Sequence, residues 1–148
     1  MRRIVIATDG SGGGRAALEQ GLELARVAGA SAVVIYVRHA PLPIVGDPYY
    51  HRGVGAELVK GRATLDEAAA RTAEAGVDAE FELLEGDPPG QVVELARARD
   101  ADLVVVGSRG LGTMAGALLG SVSGEVVRKA DRPVLVVTQR ARARRIAA

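Results

Sequence analysis

Gly107, Gly110 and the pair Gly120-Ser121 are the residues whose type and spacing carry the most chemistry in this chain. They lie in VVVGSRGLGTMAGALLGSVS, from Val104 to Ser123, with two residues between the first two glycines and nine between the second and third. Glycine at such points either lets the backbone reach positive φ or lets its N–H groups approach a ligand with no Cβ in the way. A helix beginning near Ser121 would add unsatisfied N–H donors and the positive end of its dipole, a combination that suits an anion such as phosphate. In a chain with 19 glycines, the same spacing also fits an ordinary strand-to-helix turn. Spacing alone leaves both readings open. Two rival signatures are missing: there is no GxxxxGK[ST], and GSGGGR at Gly10 to Arg15 departs from GxGxxG because Arg15 stands where the third glycine belongs.

Those positions need a frame, and alternating apolar runs supply it. Ile4 to Thr8 is a short β-branched run, followed by the Asp9-Gly10-Ser11 turn. Leu18, Leu22, Ala25 and Ala28 then recur at helical spacing from about Gly12 to Ala28, and Gly29 is a natural stop. Ala32 to Val37 is nearly all apolar, as in a strand covered on both faces. His39 to Gly55, broken by Pro41, Pro43, Gly46 and Pro48, reads as a long loop that could cover a ligand, meet a second copy or stay at the surface. Val54, Leu58, Gly61, Leu65, Ala68 and Thr72 mark one face of a second helix ending at Gly76.

Next, Val77, Ala79, Phe81 and Leu83 alternate with Asp78, Glu80 and Glu82, which predicts an edge strand with one dry and one wet face. Pro88 and Pro89 open a third helix with Val92, Leu95 and Ala96 on its stripe. Leu103 to Val106 forms a fourth strand. Val122, Val126 and Ala130 place a fourth helix, and Val134 to Thr138 the fifth strand. This alternation predicts an α/β domain: a single doubly wound five-stranded parallel sheet, with four helices and right-handed crossovers. In the order 3-2-1-4-5 the winding reverses between the first and fourth strands. The Asp9 turn and the Gly107 loop would then face each other across the crevice where open sheets of this kind bind ligands.

The pattern G-x2-G-x9-G-[ST], followed by Val122, Ser123 and RPVLVV at Arg132 to Val137, resembles the universal stress protein family. The opening RIVIATDGSGGGRAAL, from Arg3 to Leu18, resembles that family's first strand and turn. The likeness covers nearly the whole chain and points to the nucleotide-binding branch. It implies an adenine nucleotide alpha hydrolase-like, Rossmann-like domain over residues 1–139, with 140–148 a basic tail. It implies ATP, or ADP or AMP, as the ligand, with Mg²⁺ held through the phosphates. On matching positions, Asp9 would accept hydrogen bonds from ribose hydroxyls, Ala7 would border the adenine, and Val37 would meet the adenine edge through its backbone. Val106 and Gly107 would line the ribose, Arg109 and Gly110 would approach the phosphates, and Gly120, Ser121, Val122 and Ser123 would bind them through N–H groups and hydroxyls. The resemblance also implies a two-fold homodimer through the fifth strand, VLVV, whose apolar edge needs cover, and a protein partner that reads the nucleotide state.

Each of these residues has an ordinary structural use as well. Asp9 suits an N-terminal cap of the first helix, and Ser121 and Ser123 suit caps of the fourth. Arg109 suits a solvated surface position, and Val37 and Val106 would be core or edge residues in any version of this fold.

Composition narrows the alternatives. At 148 residues the chain fits one domain, and 19 basic against 18 acidic residues create no global field that would demand nucleic acid or a membrane. The absence of cysteine removes disulfides, thiol catalysis and zinc-thiolate sites, and two histidines argue against a histidine metal centre. Aromatic content of 3% argues against base-stacking platforms. The apolar run after Met1-Arg2-Arg3 is too short for a signal peptide, and no run approaches a membrane span, so a cytoplasmic location is expected.

For hydrolysis the glycine loop offers only hydroxyls and Arg109, and Asp9 is assigned to the ribose, so no catalytic residue is expected. The resulting expectation is a nucleotide-dependent stress or signalling module with at most slow ATP hydrolysis. An ATP hydrolase or phosphotransfer enzyme is one alternative. A nucleic-acid-associated protein using Arg140, Arg142, Arg144 and Arg145 is another. A phosphoacceptor receiver domain is disfavoured, because a single Asp ends the first strand and no Lys follows the fifth.

Overall fold

Among the described residues, each of the five stretches read as a strand is one, and a helix separates each strand from the next. The computed structural model describes residues 1–39, 48–108 and 119–139, with side chains from residue 53 onward in the middle span. In chain order the elements are β1 (Arg3–Ala7), α1 (Gly12–Ala28), β2 (Ser31–Arg38), α2 (Pro48–Ala75), β3 (Ala79–Glu85), α3 (Pro88–Ala98), β4 (Leu103–Gly107), α4 (Ser121–Lys129) and β5 (Val134–Val137). All four strand pairings are parallel, and the order is β3-β2-β1-β4-β5. This is the doubly wound sheet expected from the alternation of runs.

The central strands are apolar on both faces because both faces are covered. Ile4 and Ile6 of β1, Val34 of β2, and Leu103 and Val105 of β4 pack with Leu18, Leu22 and Ala25 of α1 and Ala68 of α2. The alternate residues Val5, Val33, Ile35, Val104 and Val106 pack with Val92, Val93 and Ala96 of α3 and Val126 of α4. Burying each such side chain contributes about 1.5–3 kcal/mol, which makes these two layers the main stabilisation of the fold.

Local signals set the helix ends. Gly29, at φ 64°, stops α1, and the N–H of Ala30 returns to the Ala25 carbonyl at 2.8 Å. Gly76, at φ 66°, stops α2 in the same way, with Val77 bonded back to Thr72 at 3.2 Å. Asp87 caps α3 ahead of Pro88 and Pro89, accepting from the Gly90 N–H at 3.2 Å.

Two expectations need correction. Residues 48–55, read as part of a loop from His39 to Gly55, are helical: α2 begins at Pro48. Proline breaks a helix interior but fits the first turn, where its missing N–H has no intrahelical partner to lose. The rest of that loop, 40–47, lies outside the described residues. The edge position of β3 holds, but its division into dry and wet faces does not. Phe81 is 36% exposed, while Glu80 and Glu82, on the supposed wet face, are both paired with Arg99 at the end of α3. Among the described residues, no helix is long and apolar enough to cross a membrane.

Candidate functional site

The winding reverses between β1 and β4, so α1 and α4 leave the carboxyl ends of those strands on opposite faces and a crevice opens between them. A cavity of about 280 Å³ occupies it, near the small end of the range for small-molecule sites. Its floor is the ends of β1, β2 and β4, and α2, α3 and α4 contribute to its sides.

Close glycine packing shapes the floor. A Cβ on Gly107 would fall 2.2 Å from the carbonyl oxygen of Gly13, and one on Gly13 would fall 2.5 Å from the carbonyl oxygen of Ser108. The start of α1 therefore lies directly on the end of β4, backbone against backbone. Neither Gly107 nor Gly13 has positive φ, so close approach is what requires glycine there. Gly14 is confined too, since its Cβ would sit 2.6 Å from Asp9 Oδ1.

Two neighbouring helix N-termini are closed by the protein's own side chains. At α1 the Ser11 hydroxyl accepts from the Gly14 N–H at 3.2 Å, and at α3 Asp87 does the equivalent. The alternative use of Asp9, as the cap of α1, does not occur. Asp9 Oδ1 instead accepts from both the N–H and the hydroxyl of Ser11, which fixes the turn that presents the cap.

The N-terminus of α4 differs. Its N-cap is Gly120, at φ −71° and ψ 173°, with no side-chain cap hydrogen bond. Ser123, only 2% exposed, donates its hydroxyl to the Gly120 carbonyl at 3.2 Å instead of capping an N–H. Gly120, Val122 and Ser123 line the cavity, so the uncapped end of the helix opens on it. Such an end attracts an anion through its free donors and the helix dipole.

The opposite wall is acidic and comes from β1, β2 and α2. Asp9, Tyr36 and Glu57 line it, together with the exposed side chains of His39 and Lys60. Burial, and then the negative charges of Glu57 and Asp9, hold the Tyr36 phenol above its ordinary pKa, so it stays protonated and can donate.

The structure brings Ala7, Asp9, Val37, Val106, Gly107, Gly120, Val122 and Ser123 together around this cavity. Ser121, the first residue of α4, is exposed and is not part of its lining. Arg109 and Gly110 lie outside the described residues. Sequence reasoning missed Thr8 and Ser108, buried hydroxyl residues at the ends of β1 and β4, and also Tyr36, Glu57, Lys60 and Pro88. Thr8 and Ser108 stood beside residues already singled out. Glu57 and Lys60 share a helical face with Gly61, but nothing in the sequence shows that this face reaches the cavity. Among the described residues, no group of three or more His, Cys, Asp or Glu side chains is placed to hold a metal ion.

Residues 1–138 match the model of the universal stress protein family. A universal stress protein of Methanocaldococcus jannaschii is 37% identical over 139 residues, covering 92% of this chain and 81% of the relative. Among solved structures, a universal stress protein in complex with cAMP is 32% identical with a TM-score of 0.71, covering 93% of this chain and 97% of the other. The universal stress protein from Archaeoglobus fulgidus in complex with dAMP is 25% identical with a TM-score of 0.68, covering 93% and 98%.

Proposed function

The chain belongs to the universal stress protein family, and on that premise we propose that it binds an adenine nucleotide in the crevice between β1 and β4. The observation that carries this reading is the pairing, across one cavity, of an uncapped helix N-terminus with an acidic turn. Phosphates go to the N–H groups and hydroxyl at Gly120 to Ser123, which are anion donors. The ribose goes to Asp9, which only accepts, as sugar hydroxyls require. The base lies between Ala7 and Val37, with Val106 beside the ribose. Solved relatives in complex with cAMP and dAMP support an adenine nucleotide. A few charge-assisted hydrogen bonds at about 1.5–3 kcal/mol each suffice for micromolar affinity after the cost of association.

In this reading the ligand is ATP, with Mg²⁺ carried on its phosphates, or ADP or AMP. The protein acts as a nucleotide-dependent stress or signalling module in the cytoplasm, read by a protein partner. A homodimer through the exposed edge of β5 covers an apolar strand. Hydrolysis is at most slow in this reading, because the end of α4 that would receive the phosphates supplies only N–H groups and hydroxyls.

Mass spectrometry of small molecules released from the purified protein tests the reading. An adenine nucleotide should be present, and saturation at ~100 times its Kd should add about 2.7 kcal/mol of stability. A purified protein that carries none, and that shows no heat of binding with millimolar AMP or ATP, overturns it. Single-turnover phosphate release should stay below ~0.01 per second, the scale of weakly catalytic GTPases.

A further inference from the structure

Strand β3 ends the sheet, and among the described residues no strand lies beyond it. Its hydrogen bonds to β2 show which backbone groups face outward. The N–H of Ala32 donates to the Asp78 carbonyl at 2.9 Å, and that of Gly86 to the Arg38 carbonyl at 3.0 Å. In a parallel ladder with the register Ala32↔Ala79 to Arg38↔Glu85, these bonds turn the N–H and C=O groups of Glu80, Glu82 and Leu84 towards β2. Those of Ala79, Phe81, Leu83 and Glu85 point away from the sheet. The side chains give this edge a charge pattern. Phe81 is exposed, while Glu80 and Glu82 lie on the other face and share a single cation, Arg99. Asp78, also exposed, continues their spacing of two. The edge is therefore acidic, which sets two identical edges against each other.

A basic segment with the same spacing follows β5. Arg140, Arg142 and Arg144 alternate with Ala141 and Ala143, in the stretch beyond the described residues. In an extended chain this alternation puts three arginines on one face and two small residues on the other. We propose that Arg140 to Arg145 of one copy adds to the β3 edge of another as a further strand, with its arginines beside Asp78, Glu80 and Glu82 and its alanines beside Phe81. Main-chain bonds to an open edge give such additions their affinity, and the alternating side chains select the partner. The donor is a second copy for reasons of reach. Five strand spacings, about 24 Å, separate β5 from a position outside β3. Arg140 is bonded directly to Gln139, whose side-chain amide lies against Gly12 at the start of α1, and six extended residues span only about 21 Å. A chain therefore cannot lay these arginines along its own β3. Tail and edge are different surfaces, so the contact joins copies head to tail. It stands independently of the nucleotide reading, and it links two-fold pairs formed through β5 into larger assemblies.

Sedimentation velocity of the full chain over a range of concentrations tests the contact. The unaltered chain should form species larger than a dimer, and these should shrink as salt is raised. Reversing the tail (Arg140→Glu, Arg142→Glu, Arg144→Glu), which alters no described element, should weaken this association by about tenfold or more, as should reversing the edge (Glu80→Lys, Glu82→Lys). An equimolar mixture of the two variants should regain it, because the acidic tail of one meets the basic edge of the other. Phe81→Pro removes an outward N–H that β2 does not use, a change an edge strand tolerates, and should also weaken association. Melting temperature checks the folding of both edge variants, and Phe81→Pro decides alone if the charge-reversed edge does not fold. An unaltered chain no larger than a dimer at every concentration overturns the proposal, as does a tail variant that sediments like it. Folded edge variants that still associate, or a mixture that stays apart, would place the arginines on another surface and overturn the role of β3.

Discussion

The two ends of the sheet treat their polar groups in opposite ways. At the amino end, charges are consumed within the fold. Asp102 accepts from the backbone N–H groups of Arg2 and Arg3, Arg3 donates to the Arg99 carbonyl, and Arg132 donates to the carbonyls of Ala96 and Ala101. Asp131 pairs with both Arg97 and Arg132. At the carboxyl end, the N-terminus of α4 is left without a side-chain cap, and Ser108 and Ser123 are buried at the edge of a cavity. One end closes loops onto strands, whereas the other keeps donors available. Leaving donors unmet costs stability that the amino end's network helps to offset, which is the usual relation between a site and its scaffold.

The largest expected effects separate the two kinds of glycine at the carboxyl end. Gly107→Val places a branched side chain where the Gly13 carbonyl already sits. It should destabilise the fold by about 3 kcal/mol, because backbone must move to admit it. Urea denaturation should show the midpoint falling sharply, and an unchanged midpoint would contradict the packing of α1 on β4. Gly120→Val is the contrasting case. Its backbone, at φ −71° and ψ 173°, is open to any residue, so the melting temperature should stay within a few degrees. Nucleotide affinity should fall by about a hundredfold or more, since the side chain would enter the space where phosphate meets the N–H groups. If Gly120→Val binds AMP normally, the uncapped helix end is not the anion site.

That contrast also marks what the sequence made legible. The strands could be read because both faces of the sheet are covered, which turns Val33 to Ile35 and Leu103 to Val106 into unbroken apolar runs. The helix ends could be read at Gly29, Gly76 and Asp87-Pro88-Pro89, where the signal lies within one turn. The start of α4 could be read from Gly120-Ser121. The reason for Gly107 could not, because its constraint is Gly13, distant in sequence and adjacent only once α1 packs on β4. Pro48 misled for a physical reason: a residue that forbids a helix interior is equally suited to a first turn, and only the tertiary fold decides. Glu57 was hidden because its relevance depends on how closely Gly61 lets α2 approach Tyr36.

Acid should act first at the amino end. The Arg132 and Arg97 hydrogen bonds hold the Asp131 carboxyl down at about 2, and the N–H groups of Arg2 and Arg3 hold that of Asp102 below the ordinary value of 3.8. A carboxylate with a lowered folded-state pKa contributes stability that is complete above the unfolded value and is lost as pH falls through the folded one. Thermal stability should therefore be flat above about pH 5 and decline between about 4 and 2. Both carboxylates are solvent-facing, so the decline should shrink in high salt, and Asp131→Asn should flatten it only modestly.

The five residues of β1 put roughly 16 Å between the two ends of the sheet. Nucleotide affinity at neutral pH should therefore be the same in Asp131→Asn as in the unaltered chain. Calorimetry showing a loss of affinity in this variant would mean that the amino-end network sets the shape of the crevice. The division between a self-satisfied end and a ligand-receiving end would then have to be given up.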